Sequence, residues 1–310
     1  MVRAVVSGNG RGAFTLSEVP DPSPALGEAL VQVDAFTVNF GEIHGGLTPP
    51  QAGTVPGWEA AGVVVRAARD GSGPREGTPV LTLGVGGGWA ELRAVPAHLM
   101  APLSDGADLG AASTVGIAGA SALRAIRRLG DVRGRRVLVT GATGGVGRFA
   151  VQLLRDAGAV PVAATRKVER RRAELIALGA AEVVPDPATV DGPVHGVVDT
   201  VGGDQLVSAY GLLAEGSVLV MVGHSSEQDV VFPCGSLLGG PGTHDRTLTS
   251  FFLLSTTPDL GDDLRMLADR VAAGELDPGI AWRGPWQSLS EATTAMLDRT
   301  LHGKAVVEVR

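Results

Sequence analysis

The sequence predicts an α/β protein in two parts, a β-rich domain and a doubly wound parallel sheet. Three observations predict it. Up to about residue 115, short apolar or alternating runs recur between Gly and Pro, the pattern of a compact, partly closed β-domain. From Ala118 onward, strand-like and helix-like periods alternate, the pattern of a parallel sheet covered by helices. In that second part, residues 137–147 read as an apolar strand that ends in glycines and passes at once into a helix.

Each element follows from its local pattern. Residues 3–6, 28–34, 62–67, 79–83 and 89–95 are predicted strands, and 70–77 is a surface turn region. A helix is predicted over 118–129, with small and apolar residues on one side. Then come strand 136–140, helix 145–157, strand 160–165, helix 169–178, strands 181–184 and 196–199, helix 204–214, and strands 217–222 and 247–254. Residues 262–273 form an amphipathic helix with Leu264, Leu267, Ala268 and Val271 on one stripe. A helix over 290–300 and an apolar strand over 304–309 end the chain.

Composition narrows the function. A chain of 310 residues has room for two domains, and 44% hydrophobic against 19% charged residues suits large cores. The net charge of −7 argues against nucleic acid or an anionic membrane as partner, so any anion needs a local cluster of positive groups. Cys234 is the single cysteine, which rules out an internal disulfide and a cysteine-based zinc site. The six histidines include no i, i+4 pair. The start reads as a strand rather than a signal peptide, and no apolar run approaches the roughly 20 residues of a membrane span. The expected location is the cytoplasm.

The glycine-rich turn has a specific use. Gly141, Gly144, Gly145 and Gly147, with Thr143 and Val146 between them, allow a sharp turn and let a pyrophosphate sit against N–H groups at a helix start. The next strand ends in Thr165, Arg166 and Lys167, with no acid to bind a ribose 2′-hydroxyl. A 2′-phosphate needs positive donors, so the expected cofactor is NADP(H) rather than NAD(H). Thr165 offers a hydroxyl donor. Arg166 and Arg171 are either phosphate contacts or part of a solvated helix face, the role assigned to Arg170 and Arg172.

Two families carry a turn of this kind. The short-chain dehydrogenases share the Thr140-Gly141-x-x-x-Gly145-x-Gly147 spacing, but they place it near the start of the chain and need a Tyr-x-x-x-Lys pair. Here the single tyrosine, Tyr210, is followed four residues on by Ala214. The chain instead resembles the zinc-independent quinone oxidoreductase and enoyl reductase branch of the medium-chain dehydrogenase/reductases. The resemblance rests on Asn39 and Glu42 in a segment ending at Gly46, and on Pro56-Gly57-Trp58-Glu59 with Gly62. It extends to the helix start around Ser121, the turn 139–147, Asp199 to Gly203, Met221 to Gly223, and Gly303-Lys304 to Val307. It implies a GroES-like catalytic domain over 1–115 and 275–310, a Rossmann domain over 116–274, a cleft between them, and a homodimer through the Rossmann domain. It also adds Val201, Gly223, Phe251 and Lys304 to the expected cofactor contacts.

In the zinc-dependent relatives, a Cys and a His hold the metal. The matching positions here are Asn39 and Trp58, and the stretch 86–110 that would hold a structural zinc has no cysteine. His44 and Glu59 alone are too few for a metal, so none is expected. Without a Lewis acid, a conjugated carbonyl or a quinone is the easier substrate, because charge spreads onto an oxygen that hydrogen-bond donors can hold. The expected substrate is accordingly a small apolar carbonyl compound or quinone.

Asn39 is the expected donor, with a turn-capping asparagine as the other reading. Ser121 is a candidate contact to the nicotinamide or substrate, and His44 a candidate proton relay. Glu42 and Glu59 are read as backbone acceptors. Phe40, Leu47, Trp58, Phe251 and Phe252 line an apolar pocket or belong to the core. Many relatives carry a tyrosine acid after the asparagine segment. Here that stretch is 46–50 and has none, so water, Thr48 or His44 must substitute. The expected activity is NADPH-dependent reduction of quinones or of the C=C bond of α,β-unsaturated carbonyl compounds. A cofactor-retaining non-redox enzyme and an NADPH-binding protein without turnover are the competing readings.

Overall fold

Alternating burial marks the strands over 28–38 and 92–96 in the computed structural model, which describes residues 1–44, 51–255 and 259–310. Strand β1 (Val2–Ser7) pairs antiparallel with β2 (Phe14–Val19). Strand β3 (Glu28–Val38) turns Ala29, Val31 and Val33 inward and runs directly into a short helix, α1 (Phe40–His44). Strands β4 (Glu59–Arg66), β5 (Pro79–Leu83), β6 (Leu92–Pro96) and β7 (Met100–Pro102) follow. Helix α2 (Leu109–Ala112) starts at Asp108, whose carboxylate accepts the Ala111 N–H. A wider π-type turn (Val115–Gly119) then leads into α3 (Ala120–Arg128).

The next stretch alternates strand and helix. It contains β8 (Arg136–Val139), α4 (Gly145–Asp156), β9 (Val160–Ala164), α5 (Val168–Leu178), β10 (Glu182–Val184) and β11 (Val194–Asp199). It continues with α6 (Gly203–Gly211), β12 (Leu213–Met221) and β13 (Thr247–Ser250). The chain ends in α7 (Leu260–Ala272), β14 (Ile280–Pro285), α8 (Leu289–Leu297) and β15 (Lys304–Glu308).

These elements gather into two units, Met1–Ala120 with Thr256–Arg310, and Ser121–Ser255. In the first, a seven-stranded sheet has the order β14-β15-β3-β4-β5-β7, with β6 also on β3. All its pairings are antiparallel except β14 with β15. Phe36, Val38, Ile43, Trp89, Trp286 and Val307 share one of its cores. In the second unit, six parallel strands have the order β10-β9-β8-β11-β12-β13, with Leu138, Val162, Leu206, Tyr210 and Leu219 in the core. This is the expected α/β architecture. The strand order reverses direction at β8, where a doubly wound sheet opens its ligand crevice.

Three expectations change. Helix α7 was placed with the parallel sheet, but it belongs to the first unit, because its stripe packs on α2, β7 and the π-type turn. Strand 247–254 stops at Ser250, and a 3₁₀ turn (Leu253–Ser255) follows. One helical run, Leu109–Arg128, does reach 20 residues and is apolar enough to match a membrane span, contrary to the sequence reading. Small residues such as Gly110, Ser113 and Gly119 hid that run in the sequence. Of its 18-residue apolar window, 78% is buried inside the protein, as in a core helix.

Candidate active site

The glycine turn lies where β8 hands over to α4. Gly141 has φ of +60°, and a Cβ there would stand 2.3 Å from Thr200 Oγ1. A Cβ on Gly147 would stand 2.4 Å from the Gly141 carbonyl oxygen. Only glycine lets the first turn of α4 pack this closely on the strand tip. Gly144 begins the helix in an extended conformation, and no side chain caps it. A Cβ at Gly144 would meet only the Gly141 carbonyl, at 3.3 Å. The first N–H groups of α4, at Gly145, Val146 and Gly147, have no intrahelical acceptor and suit an anion. Thr143 is half-buried at the same turn.

At the tip of β9, Thr165 is buried and its hydroxyl accepts the Lys167 N–H at 3.3 Å. Arg166 and Lys167 are both exposed there. Arg171 is already engaged, with Nη1 2.8 Å from Glu174 Oε2. Buried Arg148 pairs with the other oxygen of the same carboxylate. Burial raises the Glu174 pKa, but the hydrogen bonds and charges of Arg171 and Arg148 hold it below the usual carboxylate range. The cationic tip is therefore Arg166 and Lys167, while Arg171 serves a local triad.

The tips of β8 and β11 are laced together. Thr140 Oγ1 donates to buried Asp199 at 2.5 Å, and the Gly202 N–H donates to the same carboxylate at 2.9 Å. Burial pushes the Asp199 pKa up, and these bonds pull it back. Thr200 N–H donates to Thr140 Oγ1 at 3.0 Å, and Thr200 Oγ1 donates to the Thr140 carbonyl at 2.9 Å. Val201 and Gly223 are half-buried beside this junction. A Cβ on Gly223 would stand 2.9 Å from the Thr200 carbonyl oxygen. Phe251 lies under the Arg128 guanidinium, 4.2 Å from its ring centroid, so one ring face is taken by a cation–π contact. Ser121 is buried near the start of α3.

The first unit holds a network that sequence reasoning did not assemble. Because β15 pairs with β3 and β3 with β4, the ends of these strands converge. Lys304 Nζ, itself buried, donates to Glu59 Oε1 at 2.7 Å and to Asn39 Oδ1 at 2.8 Å. Glu59, with no exposed surface, also accepts from Thr37 Oγ1 and from the Ile117 N–H, each at 2.5 Å. Asn39 Nδ2 donates to Glu59 Oε1 at 3.0 Å and to Glu42 Oε2 at 3.1 Å. Glu42 accepts the Trp58 and Asn39 N–H groups at 2.5 and 2.7 Å. Burial pushes the Glu42 carboxyl up to about 7. Nearby, buried Arg93 donates to the carbonyls of Gly57, Trp58, Gly86 and Thr82. Burial lowers its pKa to about 10, and it keeps its charge at neutral pH.

Two expected site residues are engaged inside this network. Both Asn39 N–H groups are spent on carboxylates, so its amide is the hub of the network rather than an open donor. Lys304, expected on a cofactor, has two of its three N–H groups on Asn39 and Glu59. His44 ends α1 with its ring stacked on Phe40 at 5.0 Å, and Arg299 lies over the Phe40 ring at 5.1 Å. Trp58 packs on Gly41, where a Cβ would stand 2.6 Å from the indole. Gly46, Leu47 and Thr48 lie outside the described residues. Among the described residues, no three His, Cys, Asp or Glu side chains gather as a metal site.

Comparison with known proteins agrees with this anatomy. Residues 25–105 match the alcohol dehydrogenase GroES-like domain, and residues 145–269 match the domain described as zinc-binding dehydrogenase. The chain is 33% identical over 286 residues to the acrylyl-CoA reductase AcuI of Ruegeria pomeroyi, covering 84% of this chain and 80% of that protein. It is 36% identical over 189 residues to the putative quinone oxidoreductase YhfP of Bacillus subtilis, covering 54% and 55% of the two chains. Among solved structures, the Escherichia coli quinone oxidoreductase complexed with NADPH superposes with a TM-score of 0.86 at 20% identity, covering 99% of this chain and 100% of that one. That last likeness is one of fold.

Proposed function

This chain belongs to the quinone oxidoreductase and enoyl reductase branch of the medium-chain dehydrogenase/reductase family, and from that membership we propose that it uses NADPH to reduce quinones or the C=C bond of α,β-unsaturated carbonyl compounds, without a metal. The observation that carries the reading is the uncapped, glycine-lined start of α4 beside a strand tip that bears Arg166 and Lys167 and no acid.

The residues fit the cofactor. Gly144 leaves open the space that a diphosphate needs, and the N–H groups of Gly145, Val146 and Gly147 hold it. Arg166 and Lys167, with Thr165, take the 2′-phosphate. Gly223 keeps side-chain bulk away from the tip of β12, and the Val201 side chain packs against the turn at Gly141. The cofactor, when bound, supplies the reducing hydride.

On the substrate side, Asn39, His44 and Ser121 remain the candidates. Asn39 acts by orientation, keeping Glu42 and Glu59 in register around Lys304. A metal has no place in this reading, because Glu59 already accepts from Lys304, Thr37, Asn39 and Ile117. The cation of this network is the chain's own ammonium. The protein is taken as a homodimer through its second unit, as the family resemblance implies.

The test is loss of NADPH or NADH absorbance against a panel of quinones and enones. The expected result is a preference for NADPH of about tenfold or more, abolished in the Arg166→Glu, Lys167→Glu double variant, since tenfold corresponds to about 1.4 kcal/mol of phosphate contact. Preference for NADH overturns the cofactor assignment. Product formed without cofactor loss points to non-redox chemistry, and no turnover at all to a binding role.

A further inference from the structure

The proton that completes such a reduction lacks a tyrosine source, and a histidine that the sequence reading passed over is better built for the task than His44. His224 follows Gly223 just beyond β12. The turn that carries it is stitched to the tip of β11. Val222 N–H donates to the Asp199 carbonyl at 2.7 Å, Ser225 N–H and Oγ to the Thr200 carbonyl at 3.3 and 3.0 Å, and Ser226 N–H to the Val201 carbonyl at 2.9 Å. Asp199 and Thr200 are the residues bonded to Thr140 at the glycine turn. His224 is thus held in one framework with the candidate phosphate site.

The ring itself is fixed in two ways. Its edge lies on Gly202, where a Cβ would stand 2.5 Å from His224 Cδ2. Its Nε2 is 2.6 Å from the Gln228 carbonyl oxygen. A carbonyl only accepts, so Nε2 carries a hydrogen in either charge state, and Nδ1 is the nitrogen that gains and loses a proton. The side chain is exposed, so water can restore that proton. A charged His224 acts on Asp199 to lower its pKa; by sequence, Glu227 and Asp229 lie in its own loop, and Asp204 stands in the first turn of α6, two residues after the Gly202 on which the ring rests.

The sheet order says which end of a dinucleotide it meets. Arg166 and Lys167 mark the phosphate-bearing adenosine end at β9, and β8 carries the diphosphate turn. With the order β9-β8-β11-β12, the reducing end of a bound dinucleotide would reach toward the tips of β11 and β12. We propose that His224 is the acid of the reaction, giving the Nδ1 proton to the substrate. The inference rests on the NADPH-dependent reading above.

The step balances. Hydride addition at the β-carbon of an enone moves the C=C electron pair toward the carbonyl oxygen, and the resulting enolate takes a proton from imidazolium Nδ1. The products are the saturated carbonyl compound and neutral imidazole, and solvent then reprotonates the imidazole. For a quinone, the same proton goes to the phenolate oxygen.

The experiment is His224→Gln in the full-length protein, with two readouts. The first is the pH profile of kcat/KM. An acid must start protonated, so the wild type loses rate as the pH rises through the imidazole titration. The variant is expected to lose that limb and to fall about tenfold or more in rate at low pH, the lower range for general acid catalysis being about a hundredfold. The second is imidazole NMR of the wild type with added NADP⁺. The expected result is a shift of the His224 signals with its Nε2–H tautomer retained. Signals that do not move although calorimetry shows NADP⁺ bound, or a variant with an unchanged rate and profile, overturn the role of His224 and leave the reductase reading intact. Failure of NADP⁺ to bind at all overturns both.

Discussion

Glu42 shows how a single buried side chain sets a property of the whole fold. Burial is the main reason its carboxyl is pushed up from 4.5 to about 7, the Trp58 and Asn39 N–H groups pull it down, the charge of Glu59 adds to the rise and that of Lys304 subtracts from it. A raised acid keeps its proton in the folded protein after the unfolded chain has lost it. Between roughly pH 4.5 and 7 the native state binds more protons, so stability falls as the pH rises through that window, by up to roughly 3 kcal/mol. Glu42→Gln is expected to remove this slope. At the acid end of that window it also lowers stability by about 1–2 kcal/mol, since the amide nitrogen cannot accept and one of the Trp58 and Asn39 N–H groups loses its partner. Urea unfolding of both proteins from about pH 5 to about pH 8 checks this, and parallel curves would refute it.

The connection between β8 and α4 carries its function in its backbone. A Cβ at Gly147 would stand 2.4 Å from the Gly141 carbonyl oxygen, which is main chain and has no rotamer to yield. Gly147→Ala must therefore shift the start of α4 and its N–H groups. Calorimetric titration is expected to show NADP⁺ binding about tenfold or more weaker, a change of about 1.4 kcal/mol. Gly211→Ala, where a Cβ meets nothing within 4 Å, should bind as the wild type does. This turn and the parallel strands around it were legible in the sequence because their signals are local: an apolar run, a set of glycines, a helical period. The elements that escaped lack such signals. Strand β2 is largely exposed, α1 and α2 have 5 and 4 residues, β7 has 3, and β14 contains Gly284 and Pro285. The network of Asn39, Glu42, Glu59 and Lys304 escaped for another reason. Its members come together only through the pairing of β15 with β3 and of β3 with β4, contacts that no window of sequence contains. His224 was missed because the glycine before it drew attention to the backbone, while the Gln228 carbonyl that fixes its tautomer is visible only in the fold.

At the scale of the molecule, the two ends of the chain build one sheet. Strand β15 lies between β14 and β3, with Ala305 opposite Val38 and Glu308 opposite Ala35. Ala305, Val306 and Val307 have no exposed surface, and Val309 is nearly as buried. Each buried valine is worth about 1.5–3 kcal/mol. Removing Lys304 would strand Glu59 as an unpaired buried charge, at a further cost of about 3–5 kcal/mol. Together these losses match the entire stability of an ordinary domain, about 5–15 kcal/mol. The first unit therefore cannot close its sheet until residues 304–309 have been made, whereas residues 121–255 form their parallel sheet from one continuous stretch. Deleting residues 304–310 is expected to abolish amide hydrogen-exchange protection in β3 and β4 while β8, β11 and β12 keep theirs. Full protection of β3 and β4 in the truncated chain would mean that β15 is dispensable, and the closing role assigned to it would fall.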